Sequence, residues 1–211
     1  MKRFILFALL LVLFYGCTNQ PEKKAGTDAV DSLKKVPPRS SRALTQQDSI
    51  KATGRQVLSF LKDHNYKELI KYFSADGVLF SPYGFIDTAK SKKLSPEDFL
   101  QAVDKKWILT WGSFDGTGEP IKLTVPSYLK KFVYNADYLS AEAIGFDEVM
   151  KQGNSLNNLE AIYPNHHFID YYFSGFDQKY NGMDWTSLKL VFENEDGQYF
   201  LVAIIHDQWT V

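Results

Sequence analysis

Between residues 44 and 73 the apolar positions recur with the period of α-helices. Thr45 followed by Asp48 has the spacing of a capping box, in which side-chain and backbone groups at a helix start satisfy one another. Asn65 followed by Glu68 repeats that spacing. The apolar residues behind these starts share one helical face in each segment and are Ile50, Val57, Leu58 and Leu61, then Tyr66, Leu69, Ile70 and Phe73. We therefore predict two consecutive helices with an apolar stripe.

The last fifty residues have the composition and the period of β-strands. Residues 166–173, 186–193 and 199–210 are rich in β-branched and aromatic side chains, and residues 194–197 form a strong turn signal between the last two. In the middle strand one face carries Leu188, Leu190 and Phe192, and the other carries Ser187, Lys189 and Val191. The pattern predicts an antiparallel meander with one buried face and one mixed face.

The region between these segments is less regular. Ser95, followed by Pro96 and two acidic residues, predicts a third helix that ends near Lys106. Pro82 interrupts a β-prone stretch, which we therefore expect to be an edge strand. The other predicted elements are strands at 78–83, 107–111 and 121–125, a short helix at 126–132, a helical turn at 145–150 and an exposed loop at 153–158. This pattern predicts the α+β class, with N-terminal helices packed on a curved antiparallel sheet in a single domain, 44–211.

The first seventeen residues have a different character. Lys2 and Arg3 precede an apolar run from Phe4 to Tyr15, which is too short to span a bilayer that requires about 20 apolar residues. Gly16 and Cys17 end the run, and Cys17 is the only cysteine of the chain. This segment resembles the signal peptide and lipobox of bacterial lipoproteins.

The resemblance implies that residues 1–16 are removed and that Cys17 receives lipid chains such as palmitate. Each chain contributes about 0.8 kcal/mol of membrane affinity per buried methylene. Residues 17–43 would then comprise the lipidated cysteine and a flexible tether, because this stretch is polar and has no hydrophobic period. We expect a membrane-anchored protein that faces the extracytoplasmic side of the cell envelope. An ordinary secretory signal or an uncleaved anchor is the alternative.

Charge and motif content exclude several functions. Without Lys2 and Arg3 the chain has 22 basic and 25 acidic side chains, a formal charge of −3, which argues against nucleic acid as a partner. No serine lies in a Gly-x-Ser-x-Gly context, and the sequence contains no phosphate loop or dinucleotide fingerprint. We therefore expect no cofactor.

The order of elements is similar to that of the NTF2-like (SnoaL-like) superfamily, in which a curved sheet wraps a helix to form a cone with a pocket. The segments that carry this resemblance are 50–73 with 76–83, and the terminal strand pair 187–193 and 198–209. The superfamily contains isomerases, dehydratases and many binding modules that are not enzymes. The resemblance therefore leaves the function open.

Acid/base chemistry is the catalytic hypothesis for such a pocket. If the last strand neighbours the strand that contains Asp170, then His206 and either Asp170 or Asp207 could face the concave side. A carboxylate partner would tune the imidazole for proton transfer near pH 7. The alternative is that His206 and Asp207 end a strand and hydrogen-bond to a neighbouring loop.

Four further side chains are candidate ligand contacts, namely His166, Tyr172, Trp185 and Trp209. Strand alternation places His166 and His167 on opposite faces, so we expect no metal site. Trp185 could stack on a ligand at a pocket rim or close the end of the sheet.

The leading hypothesis is a lipid-anchored binding or interaction protein of the cell envelope that holds a small molecule, a peptide or an envelope partner. One alternative is a small pocket enzyme of isomerase, dehydratase or hydrolase type, with His206 and an aspartate as its acid/base pair. The other alternative is a purely structural envelope lipoprotein.

Overall fold

The computed structural model of the protein describes residues 45–154 and 156–210. The predicted signal peptide, Cys17 and the tether lie outside the described residues, so these predictions stay predictions. Within the described residues, no helix combines the length and the apolar character needed to cross a membrane.

The three helices for which the sequence contains a capping signal begin at those signals, Thr45, Asn65 and Ser95. The α-helices of the described part are α1 (Gln46–Lys62), α2 (Tyr66–Leu69), α3 (Pro96–Asp104), α4 (Val125–Tyr128) and α5 (Leu159–Ile162). Thr45 caps α1 in a complete capping box with Asp48, and Ser95 caps α3 by accepting a 3.1 Å hydrogen bond from the Asp98 N–H. The second predicted helix is only partly an α-helix. Helix α2 ends at Leu69, and the chain continues as the 3₁₀ helix Ile70–Tyr72.

Six strands of the described residues form one curved sheet in the order β2–β1–β8–β7–β6–β5. They are β1 (Val78–Ser81), β2 (Lys92–Leu94), β5 (Ala143–Phe146), β6 (His167–Phe173), β7 (Thr186–Glu195) and β8 (Gln198–Gln208). β1 runs parallel to β8, whereas the other neighbours are antiparallel, so the sheet is mixed. β3 (Leu109–Ser113) and β4 (Pro120–Leu123) form a separate antiparallel hairpin. The predicted α+β class and the C-terminal meander are confirmed.

The sheet has two buried faces. Residues that lie directly opposite in an antiparallel pair share a face, so Tyr171, Leu188 and His206 lie together on what we call the inner face. Helix α1 packs there, and its Gly54 contacts β6 so closely that an added Cβ would lie 2.6 Å from Ile169 Cδ1. The opposite face, which we call the outer face, carries a smaller apolar cluster made of Leu79, Ile86, Leu159, Phe168, Val191, Val202, Ala203 and Ile205.

Two local predictions are wrong. The stretch with Pro82 is not an edge strand, because β1 lies between β2 and β8 and ends one residue before the proline. No ladder hydrogen bond is therefore lost to Pro82. Gly145 to Met150 is not a helical turn either: Gly145 belongs to β5, and the chain turns after it at Asp147, which has φ +52°.

Candidate functional site

His206 is enclosed in the inner face, with no exposed surface. Its Nδ1 lies 3.0 Å from the carbonyl oxygen of Pro82, and its Nε2 lies 3.1 Å from Thr186 Oγ1 and 3.4 Å from Asn135 Nδ2. Because a carbonyl only accepts, we assign the ring proton to Nδ1 and the acceptor role to Nε2. Burial lowers the pKa of His206 to about 4, against a smaller opposite effect of the Pro82 carbonyl. The imidazole is therefore neutral near pH 7.

The outer face contains a buried charged cluster that consists of Asp170, Ser187, Lys189 and Asp207. The Lys189 ammonium lies 3.2 Å from Asp207 Oδ2, 3.5 Å from Asp170 Oδ2 and 2.9 Å from Ser187 Oγ. Ser187 donates a hydrogen bond to Asp170, whose other oxygen accepts one from the Met150 N–H at 2.9 Å. Burial raises the pKa of Asp207, and Lys189 opposes that rise.

The predicted acid/base pairing is not formed. His206 lies on the inner face, whereas Asp170 and Asp207 lie on the outer face, because neighbouring residues of a strand point to opposite sides. No hydrogen bond to the His206 ring from the described residues comes from a carboxylate. His206 instead hydrogen-bonds to the Pro82 carbonyl and so holds the loop that begins there, whereas Asp207 accepts a hydrogen bond from Lys189.

The four predicted ligand contacts do not form one site. Trp185 is 3% exposed and lies against Tyr172, with 6.2 Å between ring centroids, so it closes the end of the sheet. Trp209 is exposed. His166 lines a separate cleft of about 570 Å³, and its Nδ1 is buried without a hydrogen-bond partner from the described residues.

The same cleft contains His167, which is already committed to other protein groups. Its Nδ1 lies 2.7 Å from Asp147 Oδ2, and its Nε2 lies 2.8 Å from the Gln46 amide nitrogen. His167 therefore ties β6 to the start of α1. In the described part of the chain, no three His, Cys, Asp or Glu side chains are grouped closely enough to hold a metal ion.

A cleft that sequence reasoning missed lies where β1 ends, and we call it the Tyr83 cleft. Its volume is about 250 Å³, and it is lined by Ser81, Pro82, Tyr83, Phe85, Asp87, Lys90, Ser91, Gly112, Ser113, Phe114, Asp115 and Thr210. One wall is the segment that follows β1, and the other is the β3–β4 hairpin. Phe85 is 47% exposed, so an aromatic surface is available to a ligand there.

Close backbone packing and one hydrogen bond hold the two walls together. Gly112 has φ +122°, and a Cβ at this position would lie 3.4 Å from the Pro82 ring. The Asp115 N–H donates to the Tyr83 hydroxyl at 3.3 Å, and the Tyr83 ring packs edge-on against Phe132, with centroids 6.0 Å apart. The hairpin therefore sets the position of the Tyr83 hydroxyl.

Two asparagines fix the cleft from the outer side of the sheet. Asn158 accepts from the Ile86 N–H at 2.8 Å and donates to the Ile86 carbonyl at 3.0 Å, as a neighbouring strand would. Asn154 holds Thr210 in a similar way, donating to its carbonyl at 2.5 Å and accepting from its N–H at 3.3 Å. The loop that contains them, predicted as an exposed loop, therefore holds Ile86, which lies between the cleft residues Phe85 and Asp87, and Thr210, which lines the cleft itself.

No family model and no curated protein matches the chain. Solved structures that are similar to it include an NTF2 design with five substitutions, whose sequence is 10% identical to this chain. The match covers 77% of this chain and 99% of the design, with a TM-score of 0.32. A second is a protein from Xanthomonas campestris described as a calcium/calmodulin-dependent protein kinase II association domain, whose sequence is 9% identical to this chain. The match covers 75% of this chain and 84% of that protein, with a TM-score of 0.29. These likenesses accompany the α+β architecture and carry no argument about activity.

Proposed function

We propose that this protein is a lipid-anchored cell-envelope protein whose domain binds a small ligand in the Tyr83 cleft without catalysis. The observation that carries the proposal is the cleft itself, in which an exposed aromatic side chain, Phe85, stands beside polar groups held by the protein. Pockets of this kind combine apolar walls with a few fixed polar groups.

The state of the predicted catalytic groups supports binding rather than catalysis. The His206 ring is fully enclosed and bonded to structural partners, and Asp170 and Asp207 are 0% and 3% exposed. A general acid or base must reach the proton that it transfers, either directly or through one water. These side chains are held where a substrate has no access to them.

The volume of the cleft limits the size of its ligand. At about 250 Å³ it lies just below the range of roughly 300–1,000 Å³ that is typical of sites for drug-sized molecules. We therefore propose a ligand of the size of one sugar or one amino acid, or the end of a longer molecule.

Binding is tested with the full chain in detergent micelles by ¹H–¹⁵N NMR, against monosaccharides, amino acids and dipeptides. We expect shifts of the Tyr83, Ser113 and Asp115 amides, and a loss of about tenfold in affinity for Phe85→Ser if the aromatic contact is worth about 1.4 kcal/mol. Phe176→Ser is the matched control, because Phe176 is 62% exposed and does not line the cleft. Absence of any shift in the cleft would favour the purely structural alternative, whereas equal losses of affinity in both variants would mean that the ligand does not bind in the Tyr83 cleft.

The anchor has a separate test. We expect the full chain to incorporate a fatty-acid probe in bacterial cells and the Cys17→Ser variant to lose that label, because Cys17 is the only thiol of the chain. Continued labelling of Cys17→Ser would overturn the anchoring part of the proposal and leave the binding part standing.

A further inference from the structure

We infer that the ligand of the Tyr83 cleft is a protonated amine on a small polar or apolar body, with Asp115 as its counter-ion. The inference rests on the proposed binding function and adds the chemical class of the ligand. It follows from the charges, the aromatic rings and the hydroxyl that line the cleft.

The charges of the cleft leave one carboxylate without a partner. Asp87 Oδ1 accepts hydrogen bonds from the N–H groups of Ala89 and Lys90 at 3.1 and 3.2 Å, and Asp87 Oδ2 lies 3.6 Å from the Lys90 ammonium. Asp87 and Lys90 therefore compensate each other. Asp115 has no ion-pair partner in the described ranges, which leaves the lining with one net negative charge.

The aromatic walls also favour a cation. Tyr83, Phe85 and Phe114 line the cleft, and the faces of aromatic rings attract ammonium groups. Phe114 shows this within the protein, because the Lys131 ammonium lies 5.1 Å from the centre of its ring. Lys131 itself does not line the cleft.

The Tyr83 hydroxyl supplies a donor for a second group of the ligand. Its oxygen accepts from the Asp115 N–H at 3.3 Å, and in the described part of the protein its own proton has no acceptor. Burial raises the pKa of Tyr83; the hydrogen bond from the Asp115 N–H opposes this rise, and the Asp115 carboxylate adds to it, so that the net direction is upward and the hydroxyl keeps its proton near neutral pH. A hydroxyl or carbonyl oxygen of the ligand, placed beside its amine, would accept this hydrogen bond.

Amino sugars and lysine-type side chains both offer this chemistry, and four probes distinguish them. They are glucosamine, N-acetylglucosamine, Nα-acetyl-lysine amide and Nα,Nε-diacetyl-lysine amide, titrated into the full chain in detergent micelles with the Tyr83 and Asp115 amides as readout. We expect at least one amine to bind about tenfold more tightly than its acetylated counterpart, since acetylation removes the charge. Which amine binds identifies the source.

The variant Asp115→Asn separates charge from shape. We expect it to reduce the affinity of the amine to that of the acetylated probe, whereas Asp177→Asn leaves it unchanged, because Asp177 is paired with Lys179 outside the cleft. Raising the salt concentration should weaken the amine selectively. Equal binding of amine and acetylated probes would overturn the inference and leave the binding function standing. No binding of any of the four probes would also overturn the inference, and the wider screen of monosaccharides, amino acids and dipeptides then decides whether the binding function stands.

Discussion

The two faces of the sheet bury polar groups by different means. On the inner face, His206 is neutral and each ring nitrogen has a hydrogen-bond partner, namely the Pro82 carbonyl for Nδ1 and Thr186 and Asn135 for Nε2. On the outer face, Asp170 and Asp207 share the single ammonium of Lys189. A neutral hydrogen-bonded network needs no counter-ion, whereas two buried carboxylates depend on one. The two faces should therefore respond differently to mutation and to pH.

The largest expected effect is the loss of the outer cation. In Lys189→Met two carboxylates with 0% and 3% exposure remain without their ammonium. Breaking a buried ion pair by removing one partner costs about 3–5 kcal/mol. We expect the free energy of unfolding, measured with urea at pH 7, to fall by that amount.

Two companion variants make this result specific. Lys179→Met removes an exposed ion pair with Asp177 and should leave the free energy of unfolding nearly unchanged, because exposed pairs contribute little. Lys189→Arg keeps the positive charge and should fold even if Lys189→Met does not. If Lys179→Met and Lys189→Met have equal effects, the cluster does not stabilise the outer face.

The next largest effect is the response of the inner face to acid. The folded-state pKa of His206, about 4, lies below its ordinary value of 6.5. Between these two values the unfolded chain binds the proton and the folded chain does not, so stability falls as the pH falls from 6.5 to 4. At about 1.4 kcal/mol per pKa unit this group should cost about 3 kcal/mol at pH 4 relative to pH 7. The difference between the unfolding curves of the wild type and of His206→Asn at each pH measures it.

Asp207 should act in the opposite direction. Its pKa is raised, because burial outweighs the attraction of Lys189, so the folded state takes up a proton on acidification before the unfolded state does. That uptake stabilises the folded state as the pH falls through the raised pKa toward the ordinary value of 3.8. Asp207→Asn removes this compensation, and its stability should fall more steeply with acid than that of the wild type. A shallower fall would contradict the assignment of opposite signs.

The parts of the fold that depend on neighbouring residues were predictable from the sequence. The caps Thr45 and Ser95 and the turn at Asn194, whose side chain accepts from the Gly197 N–H at 2.9 Å, act within three residues. The parallel pairing of β1 with β8 depends on contacts more than 120 positions apart, as in Leu79 with Ala203, and nothing local indicates it.

The contacts of the candidate site also fall into those that the sequence could predict and those that it could not. Strand alternation, which separated His166 from His167 in the sequence, also separates His206 from Asp207, so that pairing could have been rejected without a structure. The position of Asp170 required the register between β6 and β7. The bonds of Asn154 to Thr210 and of Asn158 to Ile86 span 56 and 72 residues, and an asparagine in a polar loop gives no signal for such a role.

The smallest expected effect is the change in the free energy of unfolding when a buried tyrosine hydroxyl is removed. Two buried tyrosines next to the inner face differ in their hydrogen bonds. Tyr138 donates to Asn135 Oδ1 at 2.7 Å and lies 2.9 Å from Thr186 Oγ1, whereas the Tyr128 hydroxyl is buried without a partner from the described residues. An unsatisfied buried hydroxyl costs about 1–3 kcal/mol. We expect Tyr128→Phe to raise the free energy of unfolding by about 1 kcal/mol.

Tyr138→Phe is the matched control for this prediction, because it deletes the same atom from a ring that is also fully buried. It should lower the free energy of unfolding by about 1–2 kcal/mol, since Asn135 and Thr186 each lose a partner. The two substitutions are chemically identical, so opposite signs would show that pairing, and not burial of the oxygen as such, determines how the inner face tolerates polar groups. A loss of similar size in both variants would instead mean that the Tyr128 hydroxyl has a partner, such as a buried water, that stabilises it.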